Sequence, residues 1–461
     1  VRYQLGDINY KLTPYTFRNS AARIHERDGV ITSKTLRQID YDLFYYDDNT
    51  WRQQGGAVDF ALLSEKIVDE IAFDLFTSRI APSDLNNISD RLYSGGSVVV
   101  TQSEFLKVGI QAATLYDFKG TSNSTIFLQN PVYTGTAELS HTLGNTALNL
   151  AFEGGQSRLT WEGDAEAPEI EDFFFDVRAK AEWEETGLSV LAGYRDVGSG
   201  FRSPGAQTMR IRYNGNPRAY ERYGNDQNLR AISILDLYRD ASLYQTQITE
   251  GLMVYDPRYD NATPYGVATP NRRGFVLNAA YVDSEDRYTV EAETEMLSQI
   301  VGEGTDALKQ FMTTSLFAEV RAENILGIDD RRIWLNGTWS MQNTDRSGAE
   351  DFESVDLSST MLNFNLTATL FGAFDVLGEW RSRQANGDDL VALRNQYSEI
   401  IGFNEYQIDY SEQLLAAGVQ YRFSDRTNLS LWWQNFNWQD QEGLTQDYTI
   451  DTWSLLFTMN F

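Results

Sequence analysis

Residues 451–461 read DTWSLLFTMNF. Taken in steps of two, Phe461, Met459, Phe457, Leu455 and Trp453 fall on one side and Asn460, Thr458, Ser454 and Thr452 on the other, with Leu456 the one apolar exception there. Side chains of a strand alternate between its faces, so this pattern predicts a strand with one fully apolar face. The same two-sided pattern recurs upstream. Leu362, Phe364, Leu366, Ala368 and Leu370 alternate with Asn363, Asn365, Thr367 and Thr369; Ile333, Leu335, Trp339 and Met341 alternate with Asn336, Thr338, Ser340 and Gln342. Leu415, Ala417, Val419, Tyr421 and Phe423 form a further apolar row, with Gln420 and Arg422 opposite. Alternation alone fits a barrel that is apolar outside and wet inside, or a soluble sheet with the two faces reversed.

The connections separate these readings. Short turns are expected at 144–145, 184–187, 283–287, 327–331, 372 and 424–427, and longer polar connections at 119–131, 153–168, 199–271, 301–311, 345–355, 386–411 and 439–447. Gly144-Asn145 between two alternating runs is a strong local hairpin signal. Counted back from the carboxyl end, every short turn falls at the end of the sheet where the chain stops. A soluble sandwich has no reason to sort its connections in this way.

With this sorting and its terminal aromatic strand, the chain resembles Gram-negative outer-membrane β-barrels of the porin-like kind. There the final strand pairs with the first, short turns are periplasmic and long loops extracellular. The resemblance implies an all-β fold, a transmembrane antiparallel up-and-down barrel with both termini in the periplasm, and Trp453, Phe457 and Phe461 as outward residues of the closing strand. It departs from the usual ending at Met459, where a second aromatic is commoner. Leu5-Gly6-Asp7 with Thr13-Pro14-Tyr15-Thr16-Phe17-Arg18 is also similar to the opening barrel strands of fimbrial ushers. A whole usher is much longer and carries extra soluble domains, so no function is carried over from it.

Composition agrees with the barrel. Of 461 residues 13% are aromatic, yet the mean hydropathy is −0.42; alternating strands with aromatic girdles produce that combination. No window approaches the roughly 18 consecutive apolar residues of a transmembrane helix, so passage through a membrane would be by strands. There is no cysteine, which excludes disulfides and thiolate metal sites. The net charge of −28 argues against nucleic acid as a partner and is expected to reside on solvated loops. The expected surroundings are outer-membrane lipid and lipopolysaccharide, with other envelope proteins as further partners. No cofactor is expected.

Strands are expected at 37–46, 57–64, 69–79, 92–101, 104–117, 134–143, 146–152 and 170–183, then between the connections above. The count is about 18, or about 20 if the first 35 residues supply two, all in a single barrel domain spanning 1–461. So wide a barrel leaves an aqueous lumen unless something fills it.

The segment 199–271 is too long for a passive connection. An inward constriction loop, an external cap and extra strands are the three alternatives for it. It carries Arg202, Arg210, Arg212, Arg218 and Arg222 and no lysine. Guanidinium groups bind carboxylate or phosphate through two parallel bonds, so in a constriction they would select anionic solutes. The plainer reading pairs them with the interleaved Asp and Glu. Trp432, Phe436 and Trp438 share a face with Ser430 and Gln434; they would stack on sugar rings in a lumen or, more plainly, pack internally against the long loop. The only histidines are His25 and His141. Ser140 and His141 are adjacent on a strand and point to opposite faces, so no catalytic arrangement is expected. The function expected is a channel for hydrophilic solutes in the outer membrane. The alternative is a sealed barrel serving as a scaffold or component of an envelope complex for secretion, motility or surface-polymer assembly.

Overall fold

The computed structural model describes residues 1–8, 10–17, 27, 29–40, 53–64, 68–81, 83, 85–87, 89–206, 252, 257–258, 261–328, 330–348, 350, 353–395, 397–424, 426–442 and 447–459. Eighteen strands follow one another: β1 (Arg2–Ile8), β2 (Gln53–Leu63), β3 (Glu70–Ala81), β4 (Asp90–Thr101), β5 (Leu106–Phe118), β6 (Phe127–Leu143), β7 (Thr146–Glu162), β8 (Ile170–Trp183), β9 (Leu188–Val197), β10 (Arg272–Val282), β11 (Tyr288–Ser298), β12 (Gln310–Arg321), β13 (Ile333–Arg346), β14 (Val355–Phe371), β15 (Phe374–Arg394), β16 (Ile400–Ser424), β17 (Thr427–Asp440) and β18 (Tyr448–Met459). Among the described residues two helices interrupt them, α1 (Val30–Asp40) between β1 and β2 and the short α2 (Ala322–Leu326) after β12, and neither is long and apolar enough to cross a membrane.

Each strand pairs antiparallel with its neighbours in sequence, from β1–β2 to β17–β18, giving one up-and-down sheet. Among the described residues no pairing joins β1 to β18, so the sheet is barrel-like with an open seam. Short turns gather at one end, where Gly144 and Gly372 take the left-handed backbone that such tight reversals need (φ 61° and 50°).

Strand periodicity is plainest in β18. Asp451, Trp453, Leu455, Phe457 and Met459 are exposed, and the residues between them are partly covered. Phe461 lies outside the described residues. The exposed apolar row continues around the sheet through Leu335, Phe364, Leu415, Phe423 and Leu431. The opposite face is predominantly polar and meets the segments that fill the interior.

Three sequence expectations are corrected. Of the strand expected at 37–46, residues 37–40 belong instead to helix α1 (Val30–Asp40), and 41–52 lie outside the described residues. Because β1 enters as a strand, the count is still 18. Strand β7 does not stop at Phe152 but runs on to Glu162; Gly154-Gly155 reads as a break, yet a Cβ on Gly155 would sit 2.2 Å from the Tyr133 carbonyl oxygen, so glycine serves a close cross-strand approach. Most of the connection expected at 386–411 is strand: β15 and β16 pair continuously from Phe374↔Tyr421 to Leu393↔Gly402. Their outward residues in that stretch include Asn386, Gln407 and Asp409, which are polar and masked the alternation.

Candidate functional site

The first insert joins β1 to β2, and its described residues 10–17, 27 and 29–35 turn into the interior. Thr13 organises a tight turn: its amide donates to the Thr16 hydroxyl at 3.0 Å, and its hydroxyl accepts from the Thr16 amide at 3.1 Å. This turn projects three side chains onto the wall. The Thr13 hydroxyl donates to Glu153 of β7. Tyr15 stacks on Phe174 of β8 with ring centroids 4.1 Å apart, and its hydroxyl donates to Asp176 at 2.5 Å. Phe17 packs on Phe76 of β3 and edge-on to Tyr93 of β4, whose hydroxyl returns a bond to the Thr16 carbonyl at 2.8 Å.

Farther along, the insert reaches the other side. Arg27 pairs with Glu291 of β11 and lies 3.9 Å above the Phe317 ring of β12, while Asn363 of β14 donates to the Arg27 carbonyl at 2.9 Å. Glu379, an inward carboxylate of β15, accepts the first free amides of α1 from Ile31 and Thr32 and also the Thr32 hydroxyl at 2.6 Å. A helix N-terminus presents unpaired N–H groups and the positive end of its dipole, so one carboxylate satisfies both. The approach demands glycine at position 29, where a Cβ would meet Glu379 Oε1 at 2.2 Å. One turn on, Lys34 Nζ donates to Gln420 of β16 at 2.6 Å and to Asn428 of β17 at 2.7 Å. Ile31 is fully buried with Leu377, Ala416 and Trp432, and Leu456 packs against this group. One segment thus touches strands from β3 to β17, which requires the sheet to curl around it.

The second insert is the long β9–β10 connection, and its two described ends also lie inside. Phe201 and Ala206 are buried with Tyr15, Phe174 and Val197. Ser203, with no exposed surface, donates to the Tyr15 carbonyl at 2.7 Å. At the far end, Arg272 donates to the carbonyls of Ala262 (2.7 Å) and Asn261 (2.9 Å), and Arg258 lies 5.1 Å above the rings of Tyr410 and Trp438. At the mouth, Tyr397, beside the tip of the β15–β16 hairpin, donates to Asp164 of the β7–β8 connection at 2.5 Å and packs edge-on to Trp161. Buried Lys309 pairs with Asp389.

Of the arginines singled out for a constriction, only Arg202 falls among the described residues; Arg210, Arg212, Arg218 and Arg222 lie outside them. Arg202 is buried between insert and wall, and its Nη1 donates to the carbonyls of Ser199 and Phe201, both at 2.9 Å. Burial, with Arg394 nearby, pulls its pKa down to about 10. Trp432, Phe436 and Trp438 are inward and buried, Trp432 against α1 and Trp438 against Tyr410 and Tyr448. His141 is exposed on the outward face, edge-on to Phe105; His25 lies outside the described residues. Trp453 and Phe457 are outward and exposed, at the edge of the open seam.

Sequence reading missed Glu153, Asp176 and Glu379, the carboxylates that hold the first insert. Each occupies an inward position where a polar residue is ordinary for a wet interior, so nothing local distinguishes it. Among the described residues no group of His, Cys, Asp and Glu is arranged to hold a metal ion. No protein-family model matches the chain, and no curated protein matches it significantly.

Proposed function

We propose that this protein is an outer-membrane β-barrel forming a plugged, gated conduit for hydrophilic solutes, with the first insert and the ends of the β9–β10 connection as the plug. The carrying observation is how the plug meets the wall. It is anchored through carboxylates at Glu153, Asp176 and Glu379, on an inner face that is otherwise rich in Thr, Ser, Asn and Gln. Such contacts exchange with water at modest net cost, near 1–3 kcal/mol each, so a plug held this way is displaceable. The exposed apolar outward row and the sorted connections support residence in the outer membrane, with lipid and lipopolysaccharide around the wall.

A second reading has its own observation. Phe17, Phe76, Tyr93, Leu115 and Leu128 form a buried apolar cluster like the core of a soluble domain, which favours a permanent seal and a scaffold in an envelope complex. Planar-bilayer recording separates the two. The conduit predicts a silent wild type and conductance once Tyr15→Ala and Glu379→Gln release the plug. A variant whose plug is demonstrably cut by protease added from the short-turn side, yet stays silent, supports the scaffold. Heat-modifiable gel mobility after detergent extraction tests membrane residence, and a chain that stays soluble without detergent refutes it.

A further inference from the structure

Beneath the Thr13–Tyr15 turn, a cavity of about 300 Å³ opens along the inner faces of β4 to β8. Five charged side chains line it: Lys107, Glu138, Glu153, Asp176 and Arg178. Two of them cancel, since Arg178 binds Asp176 through Nε at 2.8 Å and Nη2 at 2.7 Å. Two more offset each other, because Lys107 and Glu138 stand directly opposite in the β5–β6 register. Glu153 remains. It accepts a bond from Thr13 but forms no ion pair among the described residues. The enclosure therefore has one carboxylate in excess, and a concave site with low-dielectric walls concentrates the opposite charge. Leu12, Val99 and Ala151 supply an apolar flank.

We propose that this cavity binds a small monocationic ligand, an amine or guanidinium with a short aliphatic body, with Glu153 as its counter-ion. Glu153 is also the wall partner of Thr13, and Asp176 that of Tyr15, so an occupant that draws on these carboxylates loosens the turn forming the cavity roof. This consequence for gating rests on the conduit reading; the binding does not.

The chain has no cysteine, so Ala151→Cys places a unique thiol in the cavity, two residues from Glu153 on the same face of β7. Its labelling by trimethylammonium-ethyl and by sulfonatoethyl methanethiosulfonate is compared, each rate normalised to a free thiol in solution. The cationic reagent is expected to react about tenfold faster, and n-butylguanidinium, but neither butyrate nor butanol, to slow the reaction. Glu153→Gln is expected to bring the normalised ratio close to one. Lys107→Gln, a change at an exposed side chain with little bearing on folding, is expected to raise it. A ratio near one in the parent, a ratio unmoved by Lys107→Gln, or equal protection by butanol overturns the site. Bilayer recording with n-butylguanidinium on the short-turn side reads the gating separately. If the labelling pattern holds and the bilayer stays silent, the site stands and its role in gating falls, while the conduit reading is judged by the plug-releasing variants.

Discussion

The hydroxyl of Ser203 donates to the carbonyl oxygen of Tyr15 at 2.7 Å, joining two inserts whose residues are 188 positions apart. Neither residue has meaningful exposure, and both belong to the apolar group around Phe174 and Phe201 or its polar edge. The described parts of the two connections therefore pack as one body in the interior, and loosening either should loosen both.

Tyr15→Ala removes the stack on Phe174 and the bond to Asp176 together. Replacing a buried aromatic by alanine costs about 3–5 kcal/mol. The loss should fall on the plug rather than on the wall: residues 12–17 become cleavable by protease while the heat-modifiable mobility of the barrel is retained. Simultaneous loss of both would show that the wall depends on the plug.

Gly29→Ala should be nearly as disruptive as removing Glu379. The new Cβ would lie within 2.3 Å of Glu379 Oε1 and Asn365 Oδ1, so these side-chain ends must give way and Glu379 loses its fit to the start of α1. Glu379→Gln keeps the shape but loses the charge at the helix N-terminus, for about 1–2 kcal/mol. Thermal midpoints should rank wild type above Glu379→Gln and that above Gly29→Ala. A Gly29→Ala variant as stable as wild type would remove the anchoring role of this contact.

Leu456 shows how much of the interior was legible in the sequence. The alternation of 451–461 located β18 and its faces, and marked Leu456 as an apolar residue on the polar side. That exception was the trace of the apolar group that Ile31 of α1 forms with Leu377, Ala416 and Trp432, against which Leu456 packs. The helix itself was hidden: its Ile31, Lys34 and Thr35 spacing is short, and its start is fixed by Glu379, a residue 348 positions from Ile31. Strand patterns are local and survive in the sequence, whereas a plug is held by single contacts scattered along the chain. Leu456→Ala should lower the thermal midpoint by the equivalent of about 1–2 kcal/mol without impairing membrane insertion. Trp453→Ala, on the outward face, should do the reverse, and equal effects of the two on insertion would contradict the assigned faces.

The contact at the mouth carries a pH signature. The Tyr397 hydroxyl, followed by the Glu166 amide, holds the Asp164 carboxyl below its ordinary value. A folded-state pKa below the unfolded one contributes stability that is complete above the ordinary carboxylate value, about 3.9, and lost as pH falls through the depressed value. The thermal difference between wild type and Asp164→Asn should therefore be present at pH 7 and disappear as the pH falls below the depressed value. A difference that grows with acidity would mean the carboxyl is engaged in its protonated form.

In the order of the chain, the first insert stands between β1 and β2, ahead of β2 to β18. The wall residues that Thr13, Tyr15, Phe17, Arg27, Thr32 and Lys34 meet, from Phe76 to Asn428, all come after it. A filling that comes first can serve as the form on which its container is wound, as a rope coils on a drum, and the girth of the sheet is then a property of the drum.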